Sequence, residues 1–373
     1  MAKKSPKPSK VAIPVEEEIE GLSDPEDDGL GDYPIDTLLI RTESRTVFEV
    51  VRRIGSGGFI MNPNFQRDFL WDIAKQSKLI ESILMRIPLP VFYLAENEKG
   101  QSIVVDGLQR LSTFRDFLDN EFSLKLPHQE SLNKKTFEKL SPNLQNRIED
   151  CNLVLYIIDS KVPERAKLDI FERVNSGAIL TRQQMRNCLY TGTATQWLKD
   201  EAATDMFIKA TGGSLDAMKM RDREFVNRFC AFTLVGVSEY KKDMDDFLAK
   251  SLEIMNDLDK DALGTLSHRF QLGLRNNFKL FDRHAFRKHL PNQHDRGVIN
   301  ASLWDVMTTG LARFPHEFVM DRAEAFRSVF YALLKNQDFN GAITYGPNST
   351  KNVKRRFEMA DDMFKEAFGD CAD

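Results

Sequence analysis

Apolar and polar positions divide the chain into two regimes. Between residues 35 and 190, short apolar runs alternate with helical stripes. Thr37-Leu38-Leu39-Ile40, Phe59-Ile60-Met61 and residues 91–94, 102–105 and 153–158 predict strands, and 47–54 predicts a helix. Asp72 opens a second helix whose Leu79, Ile80, Ile83, Leu84 and Ile87 share one face, with Pro88 as its stop. Leu111, Phe114 and Leu118, with Leu108 near the same stripe, predict a helix after Gly107. Pro163 opens another through Val174, Asn175-Ser176-Gly177 closes it, and Thr181-Arg182-Gln183-Gln184 has the form of a capping box. Beyond about residue 190, strand alternation nearly vanishes. Helical periodicity recurs over 197–210, 221–237, 243–258, 263–281, 301–312, 322–334 and 353–368. The pattern predicts an α/β (α+β) domain at 35–190 followed by an all-helical domain at 191–373, with no internal repeat.

Residues 1–34 stand apart. Lys3, Lys4, Lys7 and Lys10 are followed by Glu16, Glu17, Glu18, Glu20, Asp24, Glu26, Asp27 and Asp28, with almost no aromatics. Such a segment buries too little apolar surface to offset its ordering entropy, so a disordered charged tail is expected. A chain of 373 residues suits two domains. It has no apolar run near the roughly 18–20 residues a membrane helix needs, and the N-terminal lysines lead into no apolar segment, so a cytoplasmic protein with no membrane partner is expected. Cys151, Cys188, Cys230 and Cys371 form no C-x-x-C pair and read as free thiols. His284, His289 and His294 recur every five residues around Pro291, a poor spacing for a metal site. The net charge of −4 argues against coating nucleic acid through bulk charge, so any such contact needs a local patch.

The densest chemistry lies at Ile103-Val104-Val105-Asp106-Gly107-Leu108-Gln109-Arg110, where an apolar strand ends at an acid and a glycine and a helix begins. A helix's first turn offers unpaired N–H groups and partial positive charge, a setting suited to phosphates. Asp106 can hold a Mg²⁺ beside a nucleotide or act as an N-cap. Arg110 presents a planar fork suited to phosphate oxygens, or a surface ion pair; Gln109 can orient water, read a base edge, or be a solvated first-turn residue. Phe65-Gln66-Arg67, just before Trp71, puts a polar pair in an aromatic setting, where it needs either a ligand or an internal partner such as Asp106. Phe171-Glu172-Arg173-Val174-Asn175-Ser176-Gly177 adds Arg173 and Asn175, the latter also a C-cap candidate.

Together with Ile87-Pro88-Leu89-Pro90-Val91-Phe92, these fragments in this order resemble the N-terminal domain of the GmrSD-type restriction endonucleases, a family whose core resembles the ParB/sulfiredoxin fold. The resemblance covers roughly residues 35–190. Leu108 stands where many relatives carry a second Gln. The resemblance implies a nucleotide-binding domain with Gln66, Arg67, Asp106, Gly107, Gln109, Arg110, Arg173 and Asn175 around one pocket, and a restriction or anti-phage role that couples hydrolysis of a nucleoside triphosphate (NTP) to DNA recognition. On this expectation Asp106 is the Mg²⁺ ligand, Arg110 and Arg67 stabilise phosphoryl charge, and Gln109 or Gln66 positions water. Full-length relatives carry a C-terminal HNH nuclease domain; no His-Asn-His arrangement is present here, which argues against autonomous cleavage. The alternative is a non-catalytic module that holds a nucleotide or modified base and recruits a nuclease or other defence subunit.

Two further patterns bear on function. Arg52-Arg53-Ile54-Gly55-Ser56-Gly57-Gly58-Phe59 mimics a kinase glycine loop, but no V-A-I-K, H-R-D or D-F-G follows, so the glycines read as a mobile connection. In the helical half, residues 269–296 hold seven Lys or Arg against two acids, with Arg275, Lys279, Arg283 and Arg287 at i, i+4 spacing; Lys351, Lys354, Arg355 and Arg356 form a second cluster. Solvated basic faces are common. Beside a phosphate-type pocket, however, these suggest duplex DNA contact through Arg275, Lys279, Arg283 and Lys354.

Overall fold

The computed structural model describes residues 19–22, 40–61, 71–97, 100–174, 181–241, 243–291 and 293–369. The chain forms two compact units. One spans residues 25–200 with 243–259, the other residues 1–24, 201–242 and 260–373.

The first unit is built on a five-stranded mixed sheet of β1 (Ile40–Thr46), β2 (Phe59–Ile60), β3 (Phe92–Glu96), β4 (Ser102–Asp106) and β5 (Asn152–Ile158), in the order β1-β5-β3-β4-β2. The β1–β5 and β3–β4 pairs are antiparallel, the β3–β5 and β2–β4 pairs parallel. Residues 37–39 of the first expected strand lie outside the described residues, and β1 continues through the polar run to Thr46. As an edge strand it exposes most of its side chains, so apolar alternation could not mark it.

Side chains alternate across the sheet. Phe92, Leu94, Val104, Leu155 and Ile157 face a core closed by α1 (Val47–Gly55), α2 (Ile73–Leu84) and α3 (Leu108–Leu118). Ala95, Val105 and Ile158 face the other side, where Phe171 of α5 (Glu164–Val174) and Met185 of α6 (Arg182–Leu189) cover them. A short helix between these, α4 (Pro142–Glu149), buries only Ile148 and leaves little apolar stripe to read.

Helix ends follow local chemistry. Asp72 caps α2 by accepting from Lys75 N–H, and Thr181 and Gln184 form the expected capping box of α6. The exit of α2 differs from expectation. The helix stops at Leu84, Arg86 takes a left-handed φ of 58°, and Ile87 N–H returns to Ser82 O at 2.9 Å. Ile87 is therefore exposed rather than on the buried face, and Pro88 is not the stop. The Gly55–Gly58 stretch is likewise a bonded helix exit: Gly57 and Gly58 N–H groups reach the carbonyls of Ile54 and Arg53.

After α6 come α7 (Thr193–Ala202) and α8 (Asp205–Thr211), where Thr204 caps a new helix so that the single helix expected over 197–210 is two. Next are α9 (Arg221–Leu234), α10 (Met244–Asp257), α11 (Lys260–Phe281), α12 (Ala301–Leu311), α13 (His316–Asp321), α14 (Ala323–Lys335), α15 (Gln337–Thr344) and α16 (Thr350–Phe368). Of these, α10 belongs to the α/β unit, where Asp245 bonds Arg182 (2.8 Å) and the buried Arg186. The helical unit packs around Trp304, which is fully buried and donates its indole N–H to Phe225 O at 2.8 Å.

In that unit Arg228 grips Asp305 through two bonds of 2.8 and 2.6 Å, and Arg356 adds a third of 2.8 Å, all three side chains being buried. Residues 19–22, inside the stretch expected to be an undocked tail, are tied to this unit. Glu20 exchanges backbone bonds of 2.9 Å with Ile299 and Ala301, and its carboxylate meets Lys288 Nζ. Two backbone bonds and an ion pair hold it there without an apolar stripe.

Candidate functional site

Asp106 is the last residue of β4. It pairs with Tyr93 while Val104 pairs with Leu94, so Val105 is an extra residue on the strand. Such a bulge bends the strand and re-aims the side chain that follows it. Gly107 then adopts φ +99° and starts α3 with no side-chain cap. A Cβ at this glycine would stand 2.3 Å from Phe92 Cδ1, so both backbone and ring require glycine.

Phe92 carries Arg110 on its face, with the guanidinium carbon 4.2 Å from the ring centre. Arg110 turns inward. One terminal nitrogen donates to Pro90 O at 2.5 Å, the other to Val91 O at 3.1 Å and to Asp106 Oδ2 at 2.7 Å. The sequence pictured an outward fork or a surface pair; the structure has a side chain 11% exposed whose terminal nitrogens bond strand carbonyls and an acid. The reason is the ring beneath it and the open carbonyls ahead of β3, both supplied by the Pro-Leu-Pro-Val-Phe segment. Burial pulls the guanidinium below its usual pKa, against the opposing pull of Asp106.

The Asp106 carboxylate is about one-third exposed, and among the described residues its only bond runs through Oδ2, leaving Oδ1 open. Gln109 accepts the Trp71 N–H at 3.1 Å and so anchors the chain where it enters α2. Arg173 is exposed near the end of α5, whose Phe171 packs over Val105; among the described residues it has no bond to Asp106. Gln66, Arg67 and Asn175 lie outside the described residues. Leu108 is buried in the core. The parts that sequence reasoning missed are the bulge at Val105 and the Phe92 platform. Neither leaves a signal beyond the aromatic ending the Pro-Leu-Pro run.

A cavity of about 440 Å³ lies elsewhere in this unit, between the end of α2, the Pro88-Leu89 segment and α4. Among the described residues no cluster of three or more His, Cys, Asp or Glu could hold a metal by itself, and no helix is long and apolar enough to cross a membrane. The rings of His284 and His289 stack at 4.9 Å, and Cys151, Cys188 and Cys230 are free thiols.

In the helical unit, Arg275, Lys279 and Lys354 are exposed, and Arg283 bonds His294 O. Two members of the expected basic faces are not surface groups at all. Arg287 is 1% exposed and donates to the carbonyls of Thr211, Ala285 and Gly297 and to Ser214 Oγ; Arg356 is wholly buried against Asp305. Each points into the core because fixed acceptors await it there, which outweighs the preference of a cation for water.

No curated protein matches the chain. Residues 47–191, which contain the bulged strand end and its buried Arg110, match the family model for the N-terminal domain of the GmrSD restriction endonuclease, and this part of the chain is a domain of that family.

Proposed function

We propose that this chain serves a restriction-type defence system as an NTP-binding and NTP-hydrolysing component that associates with duplex DNA. The observation that carries the reading is the Asp106 carboxylate, with one oxygen held by buried Arg110 and the other open beside the uncapped start of α3. A helix N-terminus attracts phosphate, and an open carboxylate oxygen beside it suits a divalent cation shared with phosphates. One carboxylate fits Mg²⁺, which takes its remaining ligands from phosphates and water, and less so a cation needing an all-protein cage. When bound, Mg²⁺ would neutralise charge on the phosphates.

In this reading Arg110 is a positioning residue for Asp106, and Gln109 holds a carboxamide at the first turn, where it can orient water. Gln66, Arg67, Arg173 and Asn175 complete the phosphate contacts, and a ParB/sulfiredoxin-like fold is the frame. Arg275, Lys279, Arg283 and Lys354 supply DNA contacts from the helical unit. A second reading is favoured by the commitment of Arg110 to internal acceptors: a module that holds a nucleotide or modified base without turnover and recruits a nuclease or other defence subunit.

The test is binding and phosphate release for all four NTPs, with and without Mg²⁺ and duplex DNA. Asp106→Asn should weaken NTP binding about tenfold or more in Mg²⁺ and much less without it. Affinity that ignores both Mg²⁺ and Asp106→Asn would overturn the site. Loss of turnover with binding retained in Gln109→Ala supports hydrolysis, whereas binding without turnover in the wild type supports the module.

A further inference from the structure

The cavity beside α4 is separate from the Asp106 junction: none of Asp106, Gly107, Gln109 or Arg110 lines it. Its walls combine two kinds of surface. Ile83, Ile87, Pro88 and Leu89 form an aliphatic side, and Ile87 is 48% exposed. Asn143 and Asn146, one turn apart on α4, and Asn152 at the start of β5 add three carboxamide-bearing residues to the lining. Arg86 and Arg147 bring two cations against the single acid Asp150.

Arg147 is fixed by a 3.1 Å bond to Leu84 O. Among the described residues, the side chains of Arg86, Asn143, Asn146, Asp150 and Asn152 make no hydrogen bond, so their polar atoms are available to a ligand. Arg86 sits here in a left-handed conformation that a glycine would adopt with less strain.

We infer that this cavity binds a nucleobase carrying a phosphate, either a free nucleoside monophosphate or one nucleotide of an unpaired strand. The size lies in the range of about 300–1,000 Å³ typical of small-ligand pockets. Carboxamides offer the adjacent donor and acceptor that match base edges, aliphatic side chains cover a ring face, and guanidinium forks take phosphate oxygens. A simple anion would leave three carboxamides unused, an apolar ligand would strip them of water without replacement, and a cation would meet a net positive wall.

Cys151, half-buried in the lining, provides the readout. Burial raises its thiol pKa, so alkylation is slow and best followed in mildly alkaline buffer, by peptide mass spectrometry on the full chain. Four nucleoside monophosphates, a single-stranded oligonucleotide, a duplex and ribose 5-phosphate are compared as protectants. A monophosphate or the single strand should slow Cys151 alkylation about tenfold at saturation, while buried Cys188 and Cys230 stay unreactive and report an intact fold. Asn146→Leu and Arg86→Gln should each raise the half-protecting concentration about tenfold, and Asp106→Asn should leave it unchanged. Protection by the monophosphates identifies a free ligand, and protection by the single strand alone identifies a strand. Equal protection by ribose 5-phosphate, or none from any nucleotide, overturns the inference.

Discussion

Replacing Asp305 with Ala should be among the most damaging single changes in the helical unit. Asp305 accepts two bonds from Arg228 and one from Arg356, and all three side chains are buried. Burial works to lower both arginines, but the two-point grip of Asp305 outweighs it at Arg228 and holds that group above its usual pKa. Arg356, with one bond to the acid and Arg228 beside it, is pulled down to about 10 and still carries its proton at neutral pH. Removing the acid therefore strands two buried cations. Breaking a buried pair costs about 3–5 kcal/mol, against a total stability of about 5–15 kcal/mol for an ordinary domain. Arg356→Met should cost less, below about 2 kcal/mol, because it removes the weaker member of the trio and leaves Arg228 fully paired. Combining Asp305→Ala with Arg228→Met and Arg356→Met should recover part of the loss. Urea unfolding followed by Trp304 fluorescence, with Trp71 and Trp197 changed to Phe, reads this unit alone, since Trp304 packs edge-on against Phe225 in the same core. A loss below about 1.5 kcal/mol for Asp305→Ala, or an equal loss for Arg356→Met, would refute the reasoning.

Gly107→Ala should destabilise the α/β unit through two separate effects. A left-handed non-glycine residue costs about 1–2 kcal/mol, and the clash with Phe92 about 1–3 kcal/mol. Phe92→Leu should relieve only the second, and urea midpoints that leave Gly107→Ala unchanged would contradict the geometry. Acidification should weaken the helical unit. His289 and His316 have pKa values below the ordinary imidazole value, burial being the main cause, followed for His316 by Arg275. His289 Nδ1 must donate to Arg287 O, which leaves Nε2 to accept the Tyr331 hydroxyl as a neutral ring does. That stability is complete above the unfolded pKa of about 6.5 and is lost as pH falls through the depressed folded values. His289→Gln should flatten the change in urea midpoint between pH of about 7.5 and about 5.5; an equally steep change in the variant would sink the assignment. If the basic face touches DNA, Ala at Arg275, Lys279, Arg283 or Lys354 should each reduce the slope of log affinity against log salt by about 0.9, and salt-insensitive binding would exclude phosphate contact.

By itself the sequence determined the local grammar of the fold and its most informative junction. Asp72, Pro163 and the Thr181–Gln184 box mark helix starts because a cap needs only neighbours within one turn. The apolar runs at β3 and β4 mark strands because two-sided burial leaves a continuous apolar signature, and β5 is marked by its own apolar run although Val154 is exposed, whereas the edge strand β1, polar and mostly exposed, was legible at its first residue alone. The passage from strand to Asp106, Gly107 and helix was legible for the same local reason.

The tertiary structure decided where charges go. Arg110 turning inward onto Phe92 and the Pro90 carbonyl, Arg287 ending among backbone oxygens, Arg356 meeting Asp305, and Asp245 bringing α10 to Arg182 and Arg186 all depend on partners scattered along the chain. The physical reason is the free energy of a buried cation. It is unfavourable by several kcal/mol without acceptors and acceptable with them, so exposure follows from acceptors that only the folded chain assembles, and helical spacing alone cannot reveal it.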